Sequence, residues 1–278
     1  MLLPVANRFV AGETAAEALE RAIEINSAGR PVILNYLGEH HFQQRIVQED
    51  TQEYLALISD IANHDISASI SIKPTQLGLD IDESLFIEQL NTVTEAGYDK
   101  DVFVWIDMEG TGTTEATIRA FEAMADRYPH GIGLCLQSNL RRTAHDIERL
   151  ASTPGKIRLV KGAYREPIEL AYREQDRVNE RYKADLTALF QSRDHGIAVG
   201  SHDPEMIAYT KQLYAVHGSE FEFQLLLGIR TDAQENLARN FRTCTYIPYG
   251  SRWLSYFTRR MLERTENMTF AARAILGR

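Results

Sequence analysis

The feature that most constrains the fold is a regular alternation between short apolar runs and longer amphipathic segments. Eight runs of five or six residues are rich in apolar or β-branched side chains, and no linker or low-complexity tract separates them into groups. Apolar runs of this length are typical of strands that are buried on both faces of a parallel sheet. The predicted strands cover residues 31–36, 68–73, 102–107, 131–136, 157–161, 196–200, 222–226 and 243–247.

The amphipathic segments between these runs predict helices, and several begin at residue types that cap helices well. Thr14 precedes one such segment, and Asp203 starts another with Pro204 in the first helical position, where proline is tolerated. The other predicted starts are Glu83 or Ser84, Thr113 or Thr114, Thr143, and Thr231 or Asp232, and a last helix covers residues 253–264.

Eight strand candidates, each followed by a helical stretch, are the pattern of a (β/α)8 barrel. The chain has 278 residues, which allows either two domains or one barrel. A doubly wound open sheet is the alternative, but it usually carries a glycine-rich first turn. Gly131 and Gly133 are followed by Leu136 where that motif needs a third glycine. We therefore predict an α/β fold, a single TIM-like barrel domain over residues 1–278.

Composition excludes several classes of function. The chain carries 30 Lys and Arg against 39 Asp and Glu, a net charge of −9, which makes it a poor general binder of nucleic acid. The exception is residues 251–278, where six arginines and two glutamates give a local charge of +4. No run approaches the ~18 apolar residues of a membrane span. Cys135 and Cys244 lie in apolar runs, which favours buried free thiols over a disulfide. Free thiols in turn suit a reducing cytosol.

Polar side chains stand at or near the carboxyl end of every predicted strand, the end where barrels of this class carry their active sites. Any one of them could be an ordinary salt bridge, but together they indicate a functional site. The cations among them would form a positive pocket suited to a carboxylate or a phosphate. The strand-end residues are Asn35, Glu39, Lys73, Asp107, Glu109, Gln137, Arg158, Lys161, Ser201, His202, Asp203, Gln224 and Tyr246, and Arg259 and Arg260 follow on the last helix.

Aromatic residues near the end of the chain add a second feature, because Tyr246 and Tyr256 flank the arginine pair. A small apolar ring that bears a carboxylate would fit such a site. A metal centre is weakly supported, since His40 and His41 are adjacent in sequence, which is poor spacing for one ion. Two other functions remain open: a class I aldolase-type lyase with Lys161 or Lys73 as the Schiff-base lysine, and a barrel that binds a carboxylate metabolite as a sensor.

Several segments together resemble the proline dehydrogenase family, whose members use FAD to oxidise L-proline to Δ1-pyrroline-5-carboxylate. The resemblance covers nearly the whole chain in the family's order, and its most specific parts are RLVKGAY and the tyrosine- and arginine-rich segment near the end. It implies a distorted (β/α)8 barrel with a C-terminal helix over the barrel mouth. The matching segments are SIKPTQLGLD (71–80), IDME (106–109), LQSNLRRT (136–143), RLVKGAYREP (158–167), SHDPEMIA (201–208), FEFQLLLGIR (221–230) and YIPYGSRWLSYFTRRMLER (246–264).

The resemblance also implies roles for individual residues. Arg158 matches the arginine near flavin N5, and Asp107 matches an acidic residue that supports the substrate pocket; with Lys73 they are the candidate catalytic residues. The implied substrate-binding residues are Lys73, Tyr246, Tyr256, Arg259, Arg260, Leu226, Tyr164 and, less securely aligned, Glu39. The implied FAD contacts are Gln137, Arg158, Lys161, Gly162, Ala163, Ser201, His202, Gln224 and Glu263.

Three positions depart from the family's usual pattern. Asn139 stands where tyrosine is frequent, Leu227 where Tyr or His is common, and Ser201 replaces threonine but keeps the hydroxyl. The chain stops before any aldehyde-dehydrogenase domain and so resembles the monofunctional enzyme. The resemblance therefore implies a quinone as electron acceptor and a separate pyrroline-5-carboxylate dehydrogenase that takes the product. Together with the acidic composition, the two cysteines and the basic C-terminal segment, the resemblance predicts a cytoplasmic protein with a peripheral contact to the membrane, no nucleic acid partner and no metal.

Overall fold

A computed structural model describes residues 6–254, and these residues form a closed barrel of eight parallel strands. The strands are β1 (Val32–Tyr36), β2 (Ala68–Ile72), β3 (Val104–Ile106), β4 (Ile132–Gln137), β5 (Lys156–Val160), β6 (Ile197–Gly200), β7 (Phe221–Leu226) and β8 (Thr243–Tyr249). The helices are α1 (Ala15–Ser27), α2 (Gln44–Asn63), α3 (Glu83–Asp99), α4 (Thr111–Arg127), α5 (Thr143–Arg149), α6 (Gln175–Ser192), α7 (Pro204–His217) and α8 (Thr231–Ala238), after a 3-10 turn at Ala6–Arg8.

Each strand pairs in parallel with the next in sequence, and the pairing of β1 with β8 closes the barrel. In that closing pair Ile33 lies opposite Tyr246 and Tyr36 opposite Tyr249. Closure confirms the predicted (β/α)8 barrel and excludes the doubly wound open sheet. All eight predicted strands are present, with bounds within two residues of the prediction. The predicted helix over residues 253–264 lies almost wholly outside the described residues.

The helix starts follow the local signals where a capping side chain is present. Thr14 forms a capping box with Glu17, and the Asp203 carboxylate accepts from the N–H of Glu205 at the start of α7. One prediction was wrong: α4 begins at Thr111 rather than near Thr113, because Gly110 takes the capping position without a side-chain bond. Helices α2 and α6 also begin without a side-chain cap, so no capping residue in the sequence predicts where they start.

The core has two layers, as the alternation of side chains along a strand requires. One layer lies between the strands and the helices. The other fills the barrel interior with Ile33, Trp105, Ala198 and Cys244. A Cβ on Gly133 would lie 2.6 Å from the Trp105 ring, so the indole fits inside only because β4 carries glycine there. Cys135 and Cys244 are both buried and free, which confirms the prediction from their apolar surroundings.

Within residues 6–254, no helix combines the length and the apolar character that crossing a membrane requires.

Candidate active site

The centre of the site is the carboxylate of Asp107, which follows β3 at the carboxyl-terminal mouth of the barrel. Its Oδ1 accepts a hydrogen bond of 2.8 Å from Ser71 Oγ on β2 and another from Arg158 Nη2 on β5. Its Oδ2 accepts from Lys73 Nζ at 2.8 Å and from Tyr246 Oη on β8 at 2.7 Å. The structure therefore brings together four of the predicted residues and adds Ser71.

These contacts fix the charges of the three ionised groups. Burial acts to raise the pKa of Asp107, but the charges of Lys73 and Arg158 and the hydrogen bonds from Lys73 and Tyr246 outweigh it and lower that pKa. Burial likewise acts to lower the pKa of Lys73, yet the Asp107 carboxylate opposite it raises that pKa well above its usual value. Lys73, Arg158 and Asp107 are therefore all ionised at neutral pH, and these three groups together carry a charge of +1.

Arg158 is buried and held on several sides. Its Nη1 donates to Gln224 Oε1 at 3.0 Å, and its guanidinium lies 5.0 Å from the centre of the Trp105 ring and 5.6 Å from that of Tyr246. A planar guanidinium suits both kinds of contact, since it donates in its plane and stacks on aromatic faces. Arg158 therefore has one defined position in the barrel.

The ends of β4, β5 and β6 carry a second group of predicted residues. Gln137 is buried and its Nε2 donates to the backbone carbonyl of Glu109 at 2.8 Å. Lys161 Nζ lies 2.5 Å from Asp203 Oδ2, and Ser201 Oγ accepts from the N–H of Asp203 at 3.3 Å. These side chains lie beside Arg158 and Gln224 around the same mouth, because β4 to β7 are neighbours in the barrel.

His202 follows β6 and its ring is held by a backbone group. Its Nε2 accepts from the N–H of Leu226 at 2.9 Å, so Nδ1 carries the proton of the neutral ring. Burial first, and then the charge of Arg230, lowers the pKa of His202 to about 4. The imidazole is therefore neutral at physiological pH.

The loops after β4 and β5 meet at Asn139 and Gly162. Gly162 has φ +103°, and a Cβ at that position would lie 1.9 Å from Asn139 Oδ1, so only glycine fits. The backbone N–H of Asn139 donates to the carbonyl of Lys161 at 2.9 Å. Asn139 Oδ1 is buried and finds no hydrogen-bond partner within residues 6–254. Gly162 thus lies against a buried amide, and the next predicted residue, Ala163, follows it in the same loop.

The remaining predicted residues within the described chain line the same mouth. Leu226, Tyr164 and Glu39 are half-buried, and Tyr164 is near enough to Lys73 to affect its pKa. Glu39, His40 and Glu109 have ligand atoms within 4.8 Å of one another, but both Glu109 oxygens accept from Thr75 and His40 pairs with Asp80. Four predicted residues, Tyr256, Arg259, Arg260 and Glu263, lie outside the described residues.

Sequence reasoning missed Ser71 and Trp105, which touch Asp107 and Arg158. A signal was available for each. Ser71 lies two residues before Lys73, and Trp105 two residues before Asp107, and positions two apart on a strand share one face. Once the strand ends are identified, strand periodicity therefore predicts that both side chains face the site.

Neutral His202 has a consequence for stability that can be measured. Its folded pKa of about 4 lies below the usual value of about 6.5, so its stabilising contribution is complete above pH ~6.5 and is lost as the pH falls towards 4. Relative to His202→Gln, the wild type should lose about 3 kcal/mol of unfolding free energy between pH 7 and pH 4. Urea unfolding at several pH values tests this.

The comparison with the variant is necessary because Asp185 acts in the opposite direction. Burial raises the pKa of Asp185 to about 6, so the contribution of this group to the free energy of unfolding increases as the pH falls. It is present in both proteins and cancels in their difference. A difference between wild type and His202→Gln that does not change with pH would contradict the neutral buried imidazole.

The fold and the site together define a class of protein, a (β/α)8 barrel whose carboxyl-terminal mouth presents fixed cations beside buried amides. Comparison with known proteins is more specific. A family profile described as proline dehydrogenase matches residues 18–273. Proline dehydrogenase 1 of Bacillus subtilis (strain 168) is 34% identical over 275 residues, which covers 98% of this chain and 90% of that protein. The chain belongs to the proline dehydrogenase family, a family of oxidoreductases.

Two further comparisons agree. Proline dehydrogenase of Deinococcus radiodurans is 31% identical over 282 residues, covering 98% of this chain and 90% of that protein. Proline utilization A from Bdellovibrio bacteriovorus has a similar structure, with a TM-score of 0.86 over 96% of this chain and 22% identity. The present chain spans 34% of that longer protein, and at this identity the match shows the fold alone.

Proposed function

We propose that this chain is an FAD-dependent proline dehydrogenase that oxidises L-proline to Δ1-pyrroline-5-carboxylate and passes the electrons to a quinone. The observation that carries the proposal is the Asp107 cluster, in which one buried carboxylate fixes Lys73 and Arg158 at the barrel mouth. Family membership supplies the reaction class, and the cluster supplies a site of the right charge for an amino-acid carboxylate.

The donor set at the ends of β4 to β7 supports FAD as the cofactor. Arg158, Lys161, Gln137 and Gln224 offer cationic and amide donors, the chemistry that a pyrophosphate and the polar edge of a flavin require. Asn139 Oδ1 is a buried acceptor that a bound ligand could satisfy. Gly162, Ala163, Ser201 and His202, together with Glu263, complete the proposed FAD contacts. When bound, FAD supplies the hydride acceptor at N5.

The proposed substrate site lies on the side of β2, β3 and β8. Lys73 would attract the proline carboxylate, with Arg259 and Arg260 as the other cations. Asp107 orients Lys73, Arg158 and Tyr246 in one arrangement, so the site need not reorganise when proline binds. We propose that the ring lies among Tyr246, Tyr256, Leu226 and Tyr164, with Glu39 at the edge.

The wider setting is also part of the proposal. We propose one barrel domain over residues 1–278, in the cytoplasm, with a peripheral contact to the membrane where the quinone is met. A separate pyrroline-5-carboxylate dehydrogenase would take the product. The local charge of +4 in residues 251–278 supports a contact with an anionic surface, since the rest of the chain is acidic.

The aldolase-type alternative is disfavoured by the state of one lysine. A Schiff-base lysine must lose its proton, and burial alone would help by lowering the pKa of Lys73. The Asp107 carboxylate at 2.8 Å reverses that effect, so Lys73 is held as a cation. Lys161, the other candidate, is ion-paired with Asp203.

Three measurements on the purified protein separate these functions. We expect flavin released by heat denaturation to be FAD at about one per chain, and L-proline to support steady reduction of a soluble quinone analogue. Borohydride should trap no adduct on Lys73 or Lys161. Protein that cannot be loaded with FAD, or a trapped lysine adduct, would overturn the proposal.

A further inference from the structure

Glu222 lies on β7 at the amino-terminal end of the barrel interior, two residues before Gln224. Its side chain is almost fully buried, with 7% of its surface exposed. Positions two apart on a strand share a face, so Glu222, Gln224 and Leu226 all face the interior. The resemblance to the family implies roles for Gln224 and Leu226 but none for Glu222.

The two oxygens of Glu222 serve different partners. Oε1 accepts from Gln224 Nε2 at 2.6 Å. Oε2 accepts from Arg242 Nε at 2.9 Å and lies 3.6 Å from Lys156 Nζ. One oxygen therefore faces into the barrel and the other faces the partly exposed cations at the amino-terminal mouth, where Arg242 has 61% of its side chain exposed.

Hydrogen-bond chemistry makes the inner contact directional. A carboxylate only accepts, a guanidinium only donates, and an amide has one accepting and one donating end. Gln224 lies between Glu222 and Arg158, so its Nε2 must point to Glu222 and its Oε1 to Arg158. The opposite orientation would place donor against donor and acceptor against acceptor.

We propose that Glu222 is a positioning residue that sets the orientation of Gln224 and, through it, the position of the Arg158 guanidinium. The hydrogen-bond chain runs from Arg242 through Glu222, Gln224 and Arg158 to Asp107, from one mouth of the barrel to the other. Its effect on the reaction rests on the proposed function, in which Arg158 and Gln224 contact FAD. The orientation of Gln224 itself does not depend on that function.

Three variants separate positioning from a purely structural ion pair. Glu222→Ala removes the acceptor for Gln224 and the partner of Arg242 together. The double variant Glu222→Gln/Arg242→Gln keeps a carbonyl oxygen that can accept from Gln224 Nε2 and removes the guanidinium that would compete for it, and so should rescue the orientation. Arg242→Gln is the matched control, because it removes the ion pair at Oε2 and leaves Oε1 in place.

The first readout is a crystal structure of each variant, which needs no bound flavin. We expect the 3.0 Å contact between Arg158 Nη1 and Gln224 Oε1 to persist in Glu222→Gln/Arg242→Gln and in Arg242→Gln. In Glu222→Ala we expect the same two atoms to separate beyond about 3.5 Å, the usual limit of a hydrogen bond. An intact contact in Glu222→Ala would overturn the proposal.

The second readout is the flavin. In Glu222→Ala we expect FAD affinity and the rate of flavin reduction by L-proline each to fall about tenfold, the factor that one hydrogen bond is worth. We expect the KM for proline to stay within about twofold, because Glu222 acts on the flavin side. Both other variants should stay within about threefold of wild type on every measure.

The outcomes distinguish the two proposals. Equal losses in Glu222→Ala and Arg242→Gln would mean that Glu222 serves only the ion pair. Failure of Glu222→Gln/Arg242→Gln to restore flavin binding and reduction would overturn orientation as the cause. Wild-type protein that binds no FAD would instead overturn the proposed function, and the Arg158–Gln224 distance would still decide the positioning role.

Discussion

Replacing Asp107 with alanine is expected to lower the free energy of unfolding by about 3–5 kcal/mol at pH 7, because it leaves two buried cations without their anion. Lys73 and Arg158 both pair with this carboxylate, and each is almost fully buried. Because the pKa of Asp107 is lowered in the folded protein, its contribution is fully present above pH ~4 and is lost only in stronger acid. Urea unfolding of the two proteins measures the difference.

A surface ion pair is the matched control for Asp107. Arg119 Nη2 lies 2.8 Å from Glu83 Oε1, and both side chains are more than two-fifths exposed. Glu83→Gln should change the unfolding free energy by at most about 1 kcal/mol, because water screens such pairs. Asp107→Ala and Glu83→Gln with similar small effects would contradict the view that Asp107 compensates buried charge.

Replacing Arg158 with methionine is expected to slow flavin reduction by L-proline by about 10²- to 10³-fold, the usual cost of removing one positioned donor from a site where charge develops. Methionine keeps much of the aliphatic length but neither the charge nor the contacts to Gln224 and Asp107. Stopped-flow absorbance under anaerobic conditions measures the rate directly.

Arg158→Lys is the informative companion to this variant. Lysine keeps the charge beside Asp107 but loses the planar fork that reaches Gln224 and Asp107 together. We expect lysine to recover much of the folding stability and little of the rate. A rate within about threefold of wild type in Arg158→Met would remove Arg158 from the proposed flavin site.

The fold was predictable from the sequence because burial on both faces marks each strand by itself. The eight runs and their order were enough to predict a barrel, and closure through β1 and β8 confirms it. Helices α2 and α6 were harder to predict from the sequence. Each starts without a capping side chain, so their stability comes from packing against the strands rather than from a local signal.

The site was predictable in its membership and not in its bonding. Strand ends identified Lys73, Asp107, Arg158 and Tyr246, since all parallel strands of a barrel end at one mouth. The Asp107 carboxylate binds the other three side chains because β2, β3, β5 and β8 come together at the mouth. The residues concerned are up to 139 positions apart in sequence. Such contacts follow from the register of the barrel, which no single segment encodes.

The most direct test of the central claim is the visible spectrum of the FAD-loaded protein, recorded anaerobically before and after addition of L-proline. We expect the oxidised flavin bands to bleach with L-proline and to return when a quinone analogue is added. D-proline should bleach them far more slowly, because its carboxylate and its reacting hydrogen cannot both fit one chiral site. Flavin bands that are unchanged by L-proline in fully loaded protein would contradict the account.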